Sequence, residues 1–411
     1  MLIKTLYIII YFFNINGINV CICGKFDFND SLGRLPIGLV ENLNKNINQF
    51  VVPINKCDDY IDKNKLNKYN NQEIDISILF EHLWYSNNLE PYKYIPKNSK
   101  IKIAYSMIES TSIPKEWVDI INSAIDLVVV PDKFLINVYK ESGVIKPILV
   151  LPCGLYLMNF LNNKSIKENA KKNNNNNTFI FGSSTQFMPW KNNEKLVESF
   201  IEEFNKDENI KLIIHGRTGY ELSKVKQIIN QKKAENIVTI INQKLEFDEL
   251  LKLYDSFDAY IIASKGEGFS ITPRELIAMG KPVIITNNTA HKTICDAGVV
   301  TPIRSNIEAP IYYDAFGQFC GTNFDCEKDD IKKALRFVFN NYNELLKTND
   351  YKKKWVMQYD WSIIKDKYNT LLNPKKIIYG TKNQILDKGL LMLSDKNLVK
   401  KFSKIIYSAS I

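Results

Sequence analysis

The chain has 411 residues, 45% of them hydrophobic and 24% charged, which excludes a wholly disordered chain and leaves room for two or three domains with real cores. Lys and Arg number 54 against 45 Asp and Glu, a formal charge of +9. The excess is spread along the chain. It suits a phosphate-bearing ligand or an anionic membrane surface, and it lacks the clustered cations with interleaved aromatics of a nucleic-acid reader. Seven Cys at irregular spacing argue against a disulfide framework, and the three His fall in no metal-binding pattern, so no metal site is expected.

In chain order, residues 1–17 form an apolar extension. Leu6 to Phe13 follows Lys4 like the start of a signal peptide, but Asn14, Asn16 and Gly17 break the run. It falls short of the about 20 residues of a membrane span. Strand-like runs follow at 18–24, 50–53, 75–80, 102–106, 126–131 and 147–151, with helical patterns at 35–43, 115–125 and 132–142. This alternation predicts a parallel sheet covered by helices over residues 18–160. Residues 161–177, rich in Asn and Lys, read as a linker. A second alternation covers 178–355, with strands at 178–182, 211–215, 237–241, 258–263 and 282–286. A helix is expected at 356–372 and a basic tail of one or two helices at 373–411. The fold class is therefore α/β, with two Rossmann-like doubly wound domains facing a cleft.

The densest signal is Ser264-Lys-Gly-Glu-Gly-Phe-Ser-Ile-Thr-Pro-Arg-Glu-Leu-Ile-Ala-Met-Gly-Lys-Pro-Val-Ile284. It reads as a strand end, a Gly-rich loop, a short helix and the next strand. Thr272 suits an N-cap, Pro273 the first helical position and Glu275 the third, which is a capping box. A second reading stands beside it. The amides of Ser270 and Ile271 lie at a helix N-terminus, where phosphate binds, and Glu267 and Glu275 bracket them with seven residues between.

This segment resembles the Glu-x7-Glu signature of retaining family-4 glycosyltransferases of the GT-B fold (glycosyltransferases group 1). Ser106 to Trp117, Leu151-Pro-Cys-Gly-Leu155, Phe181-Gly-Ser-Ser followed by Pro-Trp-Lys-Asn192, and Tyr359-Asp-Trp361 resemble further family segments in the right order. The resemblance covers about residues 18–372. It implies metal-independent, retaining transfer of a hexose from a nucleotide sugar, UDP- or GDP-linked, to a hydroxyl acceptor on a glycan, lipid or protein-linked sugar, with no other cofactor. It implies that Glu267 contacts the donor sugar and Glu275 the ribose, and that the amides of Gly268, Phe269, Ser270 and Ile271 meet the diphosphate. Gly182, Ser183 and Lys191 belong to the donor-side loop, Lys191 being its phosphate-binding cation. Many relatives carry an Arg where Ser183 stands, so Arg34 after Gly33 is a candidate second cation, with Arg217 and Lys265 behind it. Glu109 stands where relatives place an acceptor-side His or Asp. His82 could line the acceptor side but is expected to be a packed histidine, and His291 is expected to be structural. In the family the helix around Trp361 returns to the first domain. The stripe Trp361, Ile364, Tyr368 gives an independent reason to expect this. The expected location is the cytoplasm or the cytoplasmic face of a membrane, with a basic surface suited to peripheral contact. The rival reading is a non-catalytic GT-B protein that binds a sugar or a partner.

Overall fold

The computed structural model describes residues 17–30, 32–54, 67–81, 83, 91–161, 178–204, 209–217, 219–313, 317–380 and 384–408. The expected linker interior, nearly all of the N-terminal extension and His82 lie outside the described residues.

The apolar run at the start of the described chain forms β1 (Ile18–Gly24), almost wholly buried, as an interior strand of a parallel sheet must be. Around it assemble β2 (Ile47–Pro53), β3 (Asn67–Lys68), β4 (Ile74–Phe80), β5 (Ser99–Tyr105), β6 (Leu127–Val130) and β7 (Ile148–Val150). All pair in parallel, in the order β3-β2-β1-β4-β5-β6-β7. A second all-parallel sheet contains β8 (Phe179–Ser184), β9 (Ile210–His215), β10 (Val238–Ile241), β11 (Ala259–Ile262), β12 (Val283–Thr286) and β13 (Thr301–Ile303), in the order β10-β9-β8-β11-β12-β13. The strand order reverses between β1 and β4 in one sheet and between β8 and β11 in the other. Chain connections diverge at such switch points and leave a crevice beyond the carboxyl ends of the strands.

One apolar core runs from Ile22 and Tyr105 of the first sheet through Leu276 to Trp361 and Phe402, so the two sheets share it. The helix Trp361–Leu372 lies against the first domain. Asp360 caps it by accepting from the Ser362 amide at 2.9 Å, and its other oxygen accepts from the Met158 amide at 3.2 Å. The amides of Leu155 and Trp361 cross-link this junction to Tyr359 and Leu155, and Tyr368 donates its hydroxyl to the Pro152 carbonyl at 2.9 Å. Trp361, Ile364 and Tyr368 are all buried, and the indole packs onto Gly38 and Gly154, where any side chain would overlap it.

The C-terminal segment departs from the expected helices. β16 (Lys376–Tyr379), β17 (Ile385–Asp387) and β18 (Leu390–Leu393) form a small mixed sheet before the helix Lys396–Ser408. The hairpin between β17 and β18 turns on Lys388 and Gly389, both at positive φ (44° and 81°), the conformation a two-residue hairpin requires. A Lys in the first of these positions hides the turn from a reading based on Asn-Gly or Asp-Gly pairs. Another antiparallel pair, β14 (Ile307–Tyr313) and β15 (Gln318–Asp325), projects from the second domain after β13. Among the described residues no helix is long and apolar enough to cross a membrane.

Candidate active site

A cleft of about 530 Å³ lies between the carboxyl ends of the two sheets. The first domain lines it with Asn29 and Arg34 after β1 and with Met107 and Glu109 after β5. The second lines it with Ser184 to Gln186 after β8, Gly216 and Arg217 after β9, and the loop after β11. The two domains approach closely here. A Cβ on Gly266 would overlap the carbonyl oxygen of Glu109, so this position of the signature loop accepts only Gly.

Glu267 is buried at the foot of the cleft. Its Oε1 accepts from Lys191 Nζ at 2.7 Å and from Ser264 Oγ at 2.7 Å, while its amide donates to Thr289 Oγ1 at 2.8 Å. Burial works against the charge, but the Lys191 ammonium and the hydrogen bonds from Lys191 and Ser264 outweigh it and hold the carboxyl below its ordinary range. Lys191 ends the 3-10 turn Pro189–Lys191, and Asn192 then adopts a left-handed conformation (φ 61°) before the helix Asn193–Glu203. This reversal aims the ammonium back into the cleft.

Glu275 takes a different partner from the one its spacing suggests. The helix starts at Ile271 rather than after Thr272. Ser270 is its N-cap, in the left-handed region (φ 67°), and no side chain caps it. The expected capping box is therefore absent. Glu275 Oε1 instead accepts from Arg34 Nη1 at 2.8 Å, across the cleft. Its Oε2 is buried without a partner. Burial raises the Glu275 pKa, and Arg34 offsets only part of that.

The strained Ser270 is held from two sides. Its Oγ lies 2.7 Å from His291 Nε2, and His291 Nδ1 lies 3.1 Å from Thr286 Oγ1. Thr286 gives its own proton to the Ser264 carbonyl. It must therefore accept from Nδ1–H, which leaves Nε2 to accept from Ser270. Burial pushes the His291 pKa down to about 4, so the ring is neutral. From the other side, the fully buried Arg274 donates to the carbonyls of Phe269 and Ser270 and lies over the Phe269 ring at 3.8 Å. Arg274 thus shapes the loop that presents Gly268 to Ile271 to the cleft, all four of which line it.

The structure brings Glu109, Arg34, Lys191, Glu267 and the 268–271 loop to one cleft, with Glu275 behind Arg34. It does not bring Gly182, Ser183 or Gly33 there. Gly182 lies within β8 under the Phe257 ring, and Ser183 is fully buried. The lining passes to the next residues, Ser184 to Gln186, because β8 ends only at Ser184. Gly33 sits in a turn, its amide 3.3 Å from Asp30 Oδ1. Arg217 lines the cleft, whereas Lys265 points away to Asp325 at 3.5 Å. His291 is buried outside the cleft lining, between Ser270 and Thr286.

Sequence reasoning missed Arg274, Ser184, His215 and Tyr313. His215 closes β9 with Nδ1 2.9 Å from Ser184 Oγ, and burial lowers its pKa. A polar residue at the last position of a parallel strand was the signal available for both. Among the described residues no group of three or more His, Cys, Asp or Glu could hold a metal ion, and the cations facing the cleft are Lys191, Arg34 and Arg217.

Residues 164–311 match the family of glycosyl transferases group 1. No curated protein matches the chain in sequence. The Anabaena protein HepE, solved with UDP and glucose, superposes with a TM-score of 0.64 at 12% identity, over 86% of this chain and 99% of its own. A glycosyltransferase from Rickettsia africae superposes at 0.61 with 16% identity, over 88% and 98%. Sucrose-phosphate synthase from Thermosynechococcus elongatus does so at 0.61 with 11% identity, over 86% and 98%. Residues 164–311 are thus similar to glycosyl transferases group 1, within a chain whose two Rossmann-like halves have the GT-B architecture.

Proposed function

We propose that this chain transfers a hexose from a nucleotide sugar to a hydroxyl acceptor, without a metal ion and with retention of anomeric configuration. The observation that carries the reading is the pairing of each signature carboxylate with a cation around one cleft: Lys191 with Glu267, and Arg34 with Glu275. The unpartnered Oε2 of Glu275, behind Arg34, would accept a hydrogen bond from a ribose hydroxyl. UDP is favoured over GDP, because HepE was solved with UDP and the pneumococcal O-GlcNAc transferase GtfA with UDP and GlcNAc.

Departure of the diphosphate leaves positive charge at the sugar and negative charge on the leaving oxygen. Lys191, Arg217 and the residues at the start of the helix Ile271–Ala278 line the cleft, where they would meet that negative charge. Lys191 would exchange part of its contact with Glu267 for the phosphate, freeing Glu267 to bind sugar hydroxyls. Glu109, on the opposite wall, would orient the acceptor hydroxyl. Closure of the two domains excludes water, so transfer outruns hydrolysis. The net charge of +9 suits a phosphorylated donor and peripheral contact with an anionic membrane.

A panel of UDP- and GDP-hexoses, read by thermal shift and then by nucleotide release, tests the reading. Stabilisation by UDP and release from at least one UDP-hexose is the expected result. A chain that binds neither nucleotide is not a glycosyltransferase of this kind.

A further inference from the structure

The hairpin β14–β15 belongs to the second domain but is fastened to the first. The Thr111 amide donates to the Thr322 carbonyl at 3.0 Å, and the Thr322 amide donates to Thr111 Oγ1 at 2.9 Å. Gln318 Nε2 donates to Glu116. Gly321, at φ 74°, lets the hairpin lie against the 111–112 backbone, where a Cβ would come within 2.8 Å of the Ser112 amide nitrogen. These contacts fall on the segment that follows Glu109.

The last described residue of β14 reaches Glu109 itself. Tyr313 lines the cleft, and its hydroxyl donates to Glu109 Oε2 at 3.1 Å. Its ring meets Trp190 edge-on, with centroids 5.7 Å apart, and Trp190 precedes Lys191. Glu109 is thus held at two points by the second domain: its carbonyl rests on Gly266, next to Glu267, and its carboxylate is held by Tyr313.

We infer that Tyr313 is a positioning residue that sets the acceptor-side carboxylate of Glu109 in register with the donor domain. Resting on the transfer reading above, this gives the hairpin a role in the reaction as well as in domain contact. With Oε2 occupied by Tyr313, the carboxylate can rotate little, and Oε1 is left for an acceptor hydroxyl. The bond spans the two domains, so it forms only when they are closed. Glu109 is therefore ordered only when the donor site is also assembled. Tyr313 should accordingly affect turnover and leave nucleotide affinity alone.

The test is a double-variant cycle on the full chain, with the UDP-hexose that the wild type consumes fastest as donor. UDP release gives kcat and KM, and calorimetry with UDP gives Kd. Tyr313→Phe removes only the hydroxyl. The expected result is a kcat about tenfold lower with a UDP Kd within twofold of wild type. Glu109→Gln with Tyr313→Phe should be no slower than Glu109→Gln alone, because the tyrosine acts through that carboxylate. Independent losses that multiply, or an unchanged kcat in Tyr313→Phe, would overturn the role. A parallel loss of UDP affinity would overturn it too, by making Tyr313 part of the donor site. An inactive wild type that does not bind UDP would remove the transfer reading and this role together, whereas multiplying losses in an active chain remove only this role.

Discussion

Arg34 and Glu275, 241 residues apart in sequence, meet at 2.8 Å across the cleft. The pair joins the start of the helix Arg34–Asn42, after β1, to the helix that follows the signature loop, so it ties the two domains as well as the two ends of the site. Its members are unequal. Arg34 keeps 12% of its side chain exposed, while the Glu275 side chain keeps 2%.

Glu275→Ala should therefore weaken nucleotide binding without unravelling a helix cap, since Glu275 caps nothing. A lost hydrogen bond to a charged group is worth about 1.5–3 kcal/mol, which is roughly a 10- to 150-fold weaker UDP Kd by calorimetry. Unchanged affinity would separate Glu275 from the ribose. Arg34→Ala leaves the buried carboxylate alone and should lower stability by about 3–5 kcal/mol in urea unfolding, unless Glu275 takes up a proton.

Trp361→Ala removes the indole that beds on Gly38 and Gly154. Truncating a buried Trp costs about 3–5 kcal/mol. The melting temperature should fall. At a temperature where the variant is still folded, activity should fall too, although Trp361 does not line the cleft. Full activity in a folded variant would show that this packing does not hold the cleft.

His291 makes stability depend on pH. Its folded pKa of about 4 lies below the unfolded value of 6.5, so between these values the unfolded chain binds more protons and stability drops as pH falls. Its share of that loss between pH 7 and pH 5 is about 2 kcal/mol of unfolding free energy. His291→Gln should flatten this part of the urea-unfolding profile. A variant with the wild-type slope would place the effect on other groups.

Much of this architecture is legible in the chain because buried parallel strands read as continuous apolar runs. Residues 18–24 and 126–131 are examples, and β1 and β6 form within those limits. Glu267 and Glu275 stand out by their spacing around Gly-Phe. What local spacing misleads on is the partner. Glu275 sits where a capping residue would, yet a guanidinium from the other domain claims it, and Ser270 starts the helix in a left-handed conformation that its neighbours Arg274 and His291 sustain. Tyr313 was illegible for the same reason: its partner, Glu109, lies in the other domain. The β17–β18 hairpin was missed because Lys388 occupies a positive-φ position more usual for Asn or Gly.

The most direct test of the central claim is UDP release by the wild type and by Lys191→Ala at saturating UDP-hexose. Lys191 faces the cleft beside Glu267, and its charge should matter most as the diphosphate departs. The account predicts release by the wild type and a kcat lower by about 100-fold or more in a variant that melts within a few degrees of it. Wild-type turnover in Lys191→Ala would contradict the account.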